Sequence, residues 1–154
     1  ARPGAAHRKT PSDRLAGFHD ALYRAGVPTE ERWVFDSDWS AADAYRIAMD
    51  LLSGPDRPSA VVAGSDEMAL GVLGAARTLG LQIPQDLSIV GIDDHDLAEV
   101  FGLTTVRQDV SAQGVAAAQT MLGLLGLIPV ADLPDQTFPV DLVVRTSTGP
   151  VQDR

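Results

Sequence analysis

Apolar positions along this chain recur alternately at helical and at extended spacing. Leu15, Phe18, Ala21, Leu22 and Ala25 share one helical face and predict a helix over Arg14–Ala25. Thr10-Pro-Ser-Asp13 carries its start signals: a capping hydroxyl, a proline at the first helical position and an early acid. Gly26 supplies its stop, because glycine accepts the positive φ at which helices end. Trp33-Val-Phe35 reads as a short strand. Ser40-Ala-Ala-Asp43 has the form of a capping box with Asp in place of Glu. Ala41, Ala44, Tyr45, Ala48, Leu51 and Leu52 follow at helical spacing, up to Gly54-Pro55. Ala60-Val-Val-Ala63 is a short apolar run, the pattern of a strand buried on both faces. Ser65-Asp-Glu67 opens another helix with acids at its positive end. Met68, Val72, Leu73, Ala76 and Leu79 form its stripe, and Gly80 closes it.

Downstream, Leu87–Ile92 reads as a strand, Asp96–Phe101 as one or two helical turns, and Leu103–Val106 as extended. Ser111–Leu125 reads as a helix with Val115, Ala118, Met121, Leu122 and Leu125 facing inward. Pro129–Pro139 reads as a loop, Val140–Arg145 as a last strand and Ser147–Arg154 as a loose tail. Strands and helices alternating across short turns predict an α/β fold, a mostly parallel sheet flanked by helices. The first element is a helix with no strand before it, so a sheet strand is expected upstream of Ala1.

Composition narrows the function. The 154 residues are 45% hydrophobic and 21% charged, enough for one domain with its own core. A net charge of -9 repels phosphate backbones, so any binding to DNA would fall to another segment. The absence of cysteine excludes disulfides, thiolate metal sites and cysteine nucleophiles. No apolar run is long enough to span a bilayer, and Ala1–Lys9 lacks the apolar stretch of a signal peptide. The start without Met fits a fragment and a trimmed chain equally.

Ligands of open α/β sheets bind beyond the carboxyl ends of the strands. Those ends carry Asp36–Ser40 with Trp39, then Gly64-Ser65-Asp66, then Asp93-Asp94, then Arg107-Gln108-Asp109; Arg14 lies near the start of the first helix. Such a set suits a neutral polyol. An aspartate such as Asp93 accepts charge-assisted bonds from two hydroxyls, and Arg14 offers rigidly arranged donors. Gln108 and Ser65 both donate and accept, and Trp39 presents a flat apolar face to a sugar ring. A second role is open for each. Ser65 and Asp66 also suit helix capping, Asp94 and Asp109 suit local backbone bonding, and Trp39 suits half-buried loop packing. Spacing does not separate these roles.

Five stretches stand out: Arg14-Leu-Ala-Gly-Phe-His-Asp-Ala-Leu22, Ala60-Val-Val-Ala-Gly-Ser-Asp-Glu-Met-Ala-Leu-Gly71, Ile83-Pro-Gln-Asp-Leu-Ser-Ile-Val-Gly-Ile-Asp-Asp94, Leu103-Thr-Thr-Val-Arg-Gln-Asp109 and Leu142-Val-Val-Arg-Thr-Ser147. In order and spacing they resemble the effector-binding region of the LacI/GalR regulators. The resemblance implies a type I periplasmic-binding-protein-like fold of two lobes. Residues 1–154 would be a partial effector-binding domain holding most of the C-terminal lobe. Leu103–Leu125 would belong to the other lobe, and the helix-turn-helix headpiece and most of the N-terminal lobe would lie outside the chain. It implies effector contacts from Arg14, Trp39, Ser65, Asp93 and Gln108, and homodimer contacts from Met68, Leu70 and Phe101, with Val100 as a further candidate. The implied protein is a cytoplasmic repressor-type regulator. It senses a sugar or related polar effector and reaches operator DNA only through the headpiece, with no cofactor, metal, membrane or catalytic role. Three positions depart from the family. Ile92 stands where an aromatic is common, and Val110 where sugar-binding members often stack a ring. Ser65 is shorter than the Asn often found at its position, so its contact would run through water.

Three rivals are set against this. An extracytoplasmic sugar-binding protein of an ABC transporter would share the fold, though Leu103–Asp109 and Leu142–Ser147 resemble the regulators more. A phosphorelay receiver needs a lysine after its acidic pair, and none follows Asp94. An enzyme is disfavoured because Gly-x-Ser-x-Gly, Gly-x-Gly-x-x-Gly and Walker A patterns are missing. Asp93, Asp94 and Asp96 alone are weak evidence for a metal, and His19 and His95 read as a solvated residue and a loop hydrogen-bonder.

Overall fold

The computed structural model describes residues 9–129 and 136–150. Its elements run α1 (Lys9–Arg24), α2 (Ala41–Ser53), β1 (Ala60–Val62), α3 (Asp66–Thr78), β2 (Ser88–Asp93), α4 (Asp96–Val100), β3 (Thr104–Gln108), α5 (Val110–Leu124) and β4 (Val140–Val143). The sheet has the order β1-β2-β3-β4. β1, β2 and β3 pair in parallel, and β4 joins β3 antiparallel. The expected α/β class is what is found.

One helical layer builds the core. Ala48 and Leu52 of α2, Ala69, Val72, Ala75 and Ala76 of α3, and Leu87, Ile89, Ala98 and Leu103 close over the sheet. Small residues let α2 and α3 approach closely: a Cβ on Gly71 would lie 2.2 Å from the Ala41 carbonyl oxygen. Local caps start both helices. Ser65 Oγ accepts the Met68 N–H, and Ser40 Oγ accepts the Asp43 N–H at 3.1 Å. The Asp43 carboxylate accepts from the Asp38 N–H rather than from Ser40, while Asp38 takes the Ser40 N–H, so the predicted box extends two residues upstream. Ser40→Ala is expected to lower stability by about 1 kcal/mol in urea unfolding, the usual worth of an N-cap.

Other expectations change. α1 begins at Lys9, so Thr10 and Pro11 lie inside its first turn instead of preceding it. Trp33-Val-Phe35 is no strand: Glu31–Trp33 forms a 3-10 turn, with the Arg32 guanidinium 4.6 Å from the Trp33 ring. β1 is an edge strand with Val62 exposed, not a strand covered on both faces. α5 has its predicted extent, but none of its residues is buried; Val115, Met121, Leu122 and Leu125 all face solvent. The stretch from Ser147 is not loose. Ser147 is buried, its hydroxyl donates to Ile89 O at 2.6 Å, and it accepts from the Thr104 N–H. The middle of the expected Pro129–Pro139 loop, and the tail beyond Pro150, lie outside the described residues.

Candidate functional site

The parallel strands β1, β2 and β3 end at one rim, and four of the five expected effector residues meet there. Gly64 follows β1, Asp93 ends β2 and Gln108 ends β3. α1 brings Arg14 across this rim, where its guanidinium donates to Gly64 O at 2.6 Å and lies 3.9 Å from the Asp93 carboxylate. Gln108 Nε2 donates to Asp93 Oδ1 at 2.7 Å. Trp39, just ahead of α2, adopts φ +67°, a costly angle for a bulky residue, held by its N–H bond to Ser37 Oγ. Its ring lies beside Gly64, where a Cβ would be 3.4 Å from the indole edge, and the Arg14 guanidinium sits 5.6 Å from its centroid. The Asp93 side chain stays 40% exposed, so a solute can reach it.

Ser65, the fifth, is buried and serves α3 as its cap. Asp109 caps α5 by accepting the Ala112 N–H, as its local-bonding reading expected. His95 Nδ1 accepts the Leu97 N–H, again a loop bond. His19 is half-buried, edge-on to Phe18 at 5.7 Å, rather than freely solvated. Asp94 departs from expectation. Its carboxylate takes Arg107 Nε and Arg145 NH2, each at 2.7 Å, and Arg145 also donates to Leu103 O. Neither arginine was singled out as a partner for it, and the Asp94–Arg145 pair spans 51 residues, beyond any local pattern. Among the described residues no cluster of three or more His or acidic side chains is placed to hold a metal, and no helix is long and apolar enough to cross a membrane.

The adjacent aspartates titrate in opposite senses. Burial pushes the Asp93 carboxyl above its ordinary range; Arg14 opposes this, the nearby Asp66 adds to it, and the Gln108 bond opposes it. Desolvation also acts on Asp94, but the Arg107 and Arg145 bonds outweigh it and hold Asp94 below that range. A raised folded pKa gives stability that is present in acid and lost as pH rises through it. A depressed one gives stability present above the unfolded pKa and lost as pH falls. Near neutral pH, Asp93→Asn is therefore expected to raise the unfolding midpoint and Asp94→Asn to lower it. Both differences should shrink below about pH 4, where carboxyls protonate. Urea titrations across pH check the signs.

The periplasmic binding protein-like domain family matches residues 2–148, and the chain belongs to it. Within that class it is similar to LacI-family regulators. The HTH-type transcriptional repressor PurR of Escherichia coli is 39% identical over 122 residues, covering 78% of this chain and 36% of the repressor. A LacI family transcriptional regulator from Mycobacterium smegmatis superposes with TM-score 0.83 at 35% identity, over 97% of this chain and 56% of that one. The Lactobacillus casei LacI family regulator with bound sucrose superposes with TM-score 0.80 at 30% identity, over 94% of this chain and 53% of that one. The chain thus spans about a third of the curated relatives it matches and about half of these solved chains. The LacI/GalR resemblance holds over most of the chain, and these relatives are regulators rather than enzymes or transport proteins.

Of the expected dimer residues, Phe101 is exposed beside the exposed Val100, and Leu70 is half-buried on α3. Met68 packs against the core, its sulfur 3.5 Å from where a Gly64 Cβ would stand.

Proposed function

We propose that this chain is most of the C-terminal lobe of the effector-sensing region of a cytoplasmic, homodimeric LacI-type repressor. The observation that carries the reading is the meeting of Arg14, Trp39, Asp93 and Gln108 at one strand-end rim. A sugar or related polyol would accept from Arg14, donate hydroxyls to Asp93, exchange bonds with Gln108 and lay its C–H face on Trp39. Ser65, already capping α3, would reach it through water. α5 and β4 present Val115, Met121, Val140 and Leu142 to solvent, an apolar face suited to the rest of the second lobe. Leu70 and Phe101, with Met68 at the margin, would lie in the dimer contact. Effector affinity that differs between two lobe arrangements would shift operator binding by a headpiece, with a coupling of about 1–3 kcal/mol.

Calorimetric titration of the intact regulator against a sugar panel that includes sucrose and glucose tests this. Arg14→Ala is expected to weaken the binding sugar about tenfold, one charge-assisted bond. A panel without any binder, or an Arg14→Ala variant with parental affinity, would refute the site.

A further inference from the structure

Asp93 and Asp94 are consecutive non-glycine residues at positive φ, +125° and +58°. Side chains rarely adopt such angles, and a strained pair persists only where its surroundings hold it. The turn that follows β2 is held through two backbone N–H groups. His95 N–H donates to Asp66 Oδ2 at 2.8 Å, and Asp94 N–H donates to Thr105 Oγ1 at 3.3 Å. Because an N–H can only donate, the Thr105 hydroxyl must spend its own proton elsewhere. It donates to Asp66 Oδ1 at 2.5 Å. Asp66 and Thr105 are 1% and 0% exposed, so water cannot replace either of them. Gly91 completes the arrangement: a Cβ there would stand 2.1 Å from Asp66 Oδ1. The Asp66 and Thr105 side chains are buried, and the Asp66 backbone also bonds the Asp93 carboxyl.

We propose that buried Asp66, acting through Thr105 and the His95 amide, is the positioning residue that fixes the strained turn and so turns Asp93 toward the rim while Asp94 is turned to Arg107 and Arg145. That Asp93 meets a ligand rests on the function proposed above; that Asp66 and Thr105 hold the turn does not.

The test is amide hydrogen exchange by NMR on this chain, comparing Asp94 and His95 with the core amide of Ile89. Thr105→Val keeps the shape and removes the hydroxyl. It should speed exchange at Asp94 and His95 about tenfold and leave Ile89 unchanged. Thr105→Ser should restore parental rates, and Asp66→Asn should act as Thr105→Val does. Parental exchange at both turn amides in Thr105→Val, or an equal acceleration at Ile89, would overturn the proposal. Sucrose titration of the intact regulator and the same variants separates the two ideas. If the rim is not the effector site, sucrose affinity stays the same across the variants, or is nil in all, while the exchange signature persists.

Discussion

Asp93→Ala in the intact regulator is expected to abolish the response to effector while leaving operator binding in its absence unchanged. A carboxylate serving two hydroxyls contributes two charge-assisted bonds, each of about 1.5–3 kcal/mol. Losing both weakens binding by roughly two to four orders of magnitude. The substitution also leaves Arg14 and Gln108 pointing at an empty position, since both are aimed at Asp93. The fold should survive, because burial already disfavours the ionised Asp93 carboxyl. Titration calorimetry and an operator-binding assay with and without sugar read the two halves. Normal induction in this variant would remove Asp93 from the site.

Gly71→Ala is expected to destabilise the fold although alanine is the better helix former. Alanine is the better helix former by about 1 kcal/mol. That gain is outweighed, because the new methyl would stand 2.2 Å from the Ala41 carbonyl and 3.0 Å from the Tyr45 nitrogen. Both are backbone atoms of an adjoining helix and cannot rotate away. Overpacking costs about 1–3 kcal/mol, and two backbone clashes place this case at the upper end, for a net loss of about 2 kcal/mol. Gly17→Ala is the control: it lies in α1 with nothing within 4 Å of its Cβ position, and helix propensity alone favours alanine by about 1 kcal/mol. Urea midpoints that fall for Gly71→Ala and rise for Gly17→Ala would fit; equal shifts would not.

Which parts of the fold could be read in advance follows from how far each signal reaches. α2, α3 and α4 appear within a residue or two of their predicted limits because their caps, stops and apolar period lie inside the segment itself. Trp33-Val-Phe35 has strand-type residues but pairs with no strand in the described sheet, and a strand exists only by pairing. The inward stripe expected of α5 required a partner surface, and its spacing cannot say whether one is present. Ser147 reads as tail by composition, yet it is tied to Ile89, Gly102 and Thr104.

The candidate site divides in the same way. Strand-end position and family resemblance singled out Arg14, Trp39, Asp93 and Gln108. Asp66 stands at a strand end with capping and ligand contact both open to it, and Thr105 reads as a strand residue; nothing nearby in sequence marks the bond between them, which spans 39 residues. Gly64 contributes a carbonyl, which no side-chain pattern can display.

The sequence by itself determined the order of helices and strands apart from Trp33-Val-Phe35, the α/β class and the residue types offered at each strand end. Local capping, period and turn chemistry act over a few residues and are written in the chain. Tertiary structure alone decided which of those polar groups meet, that Asp94 faces two arginines while Asp93 faces the rim, and that α5 lies uncovered. Those outcomes depend on the register of paired strands and on hydrogen bonds between distant segments, where a shift of one residue would send each side chain to the opposite face.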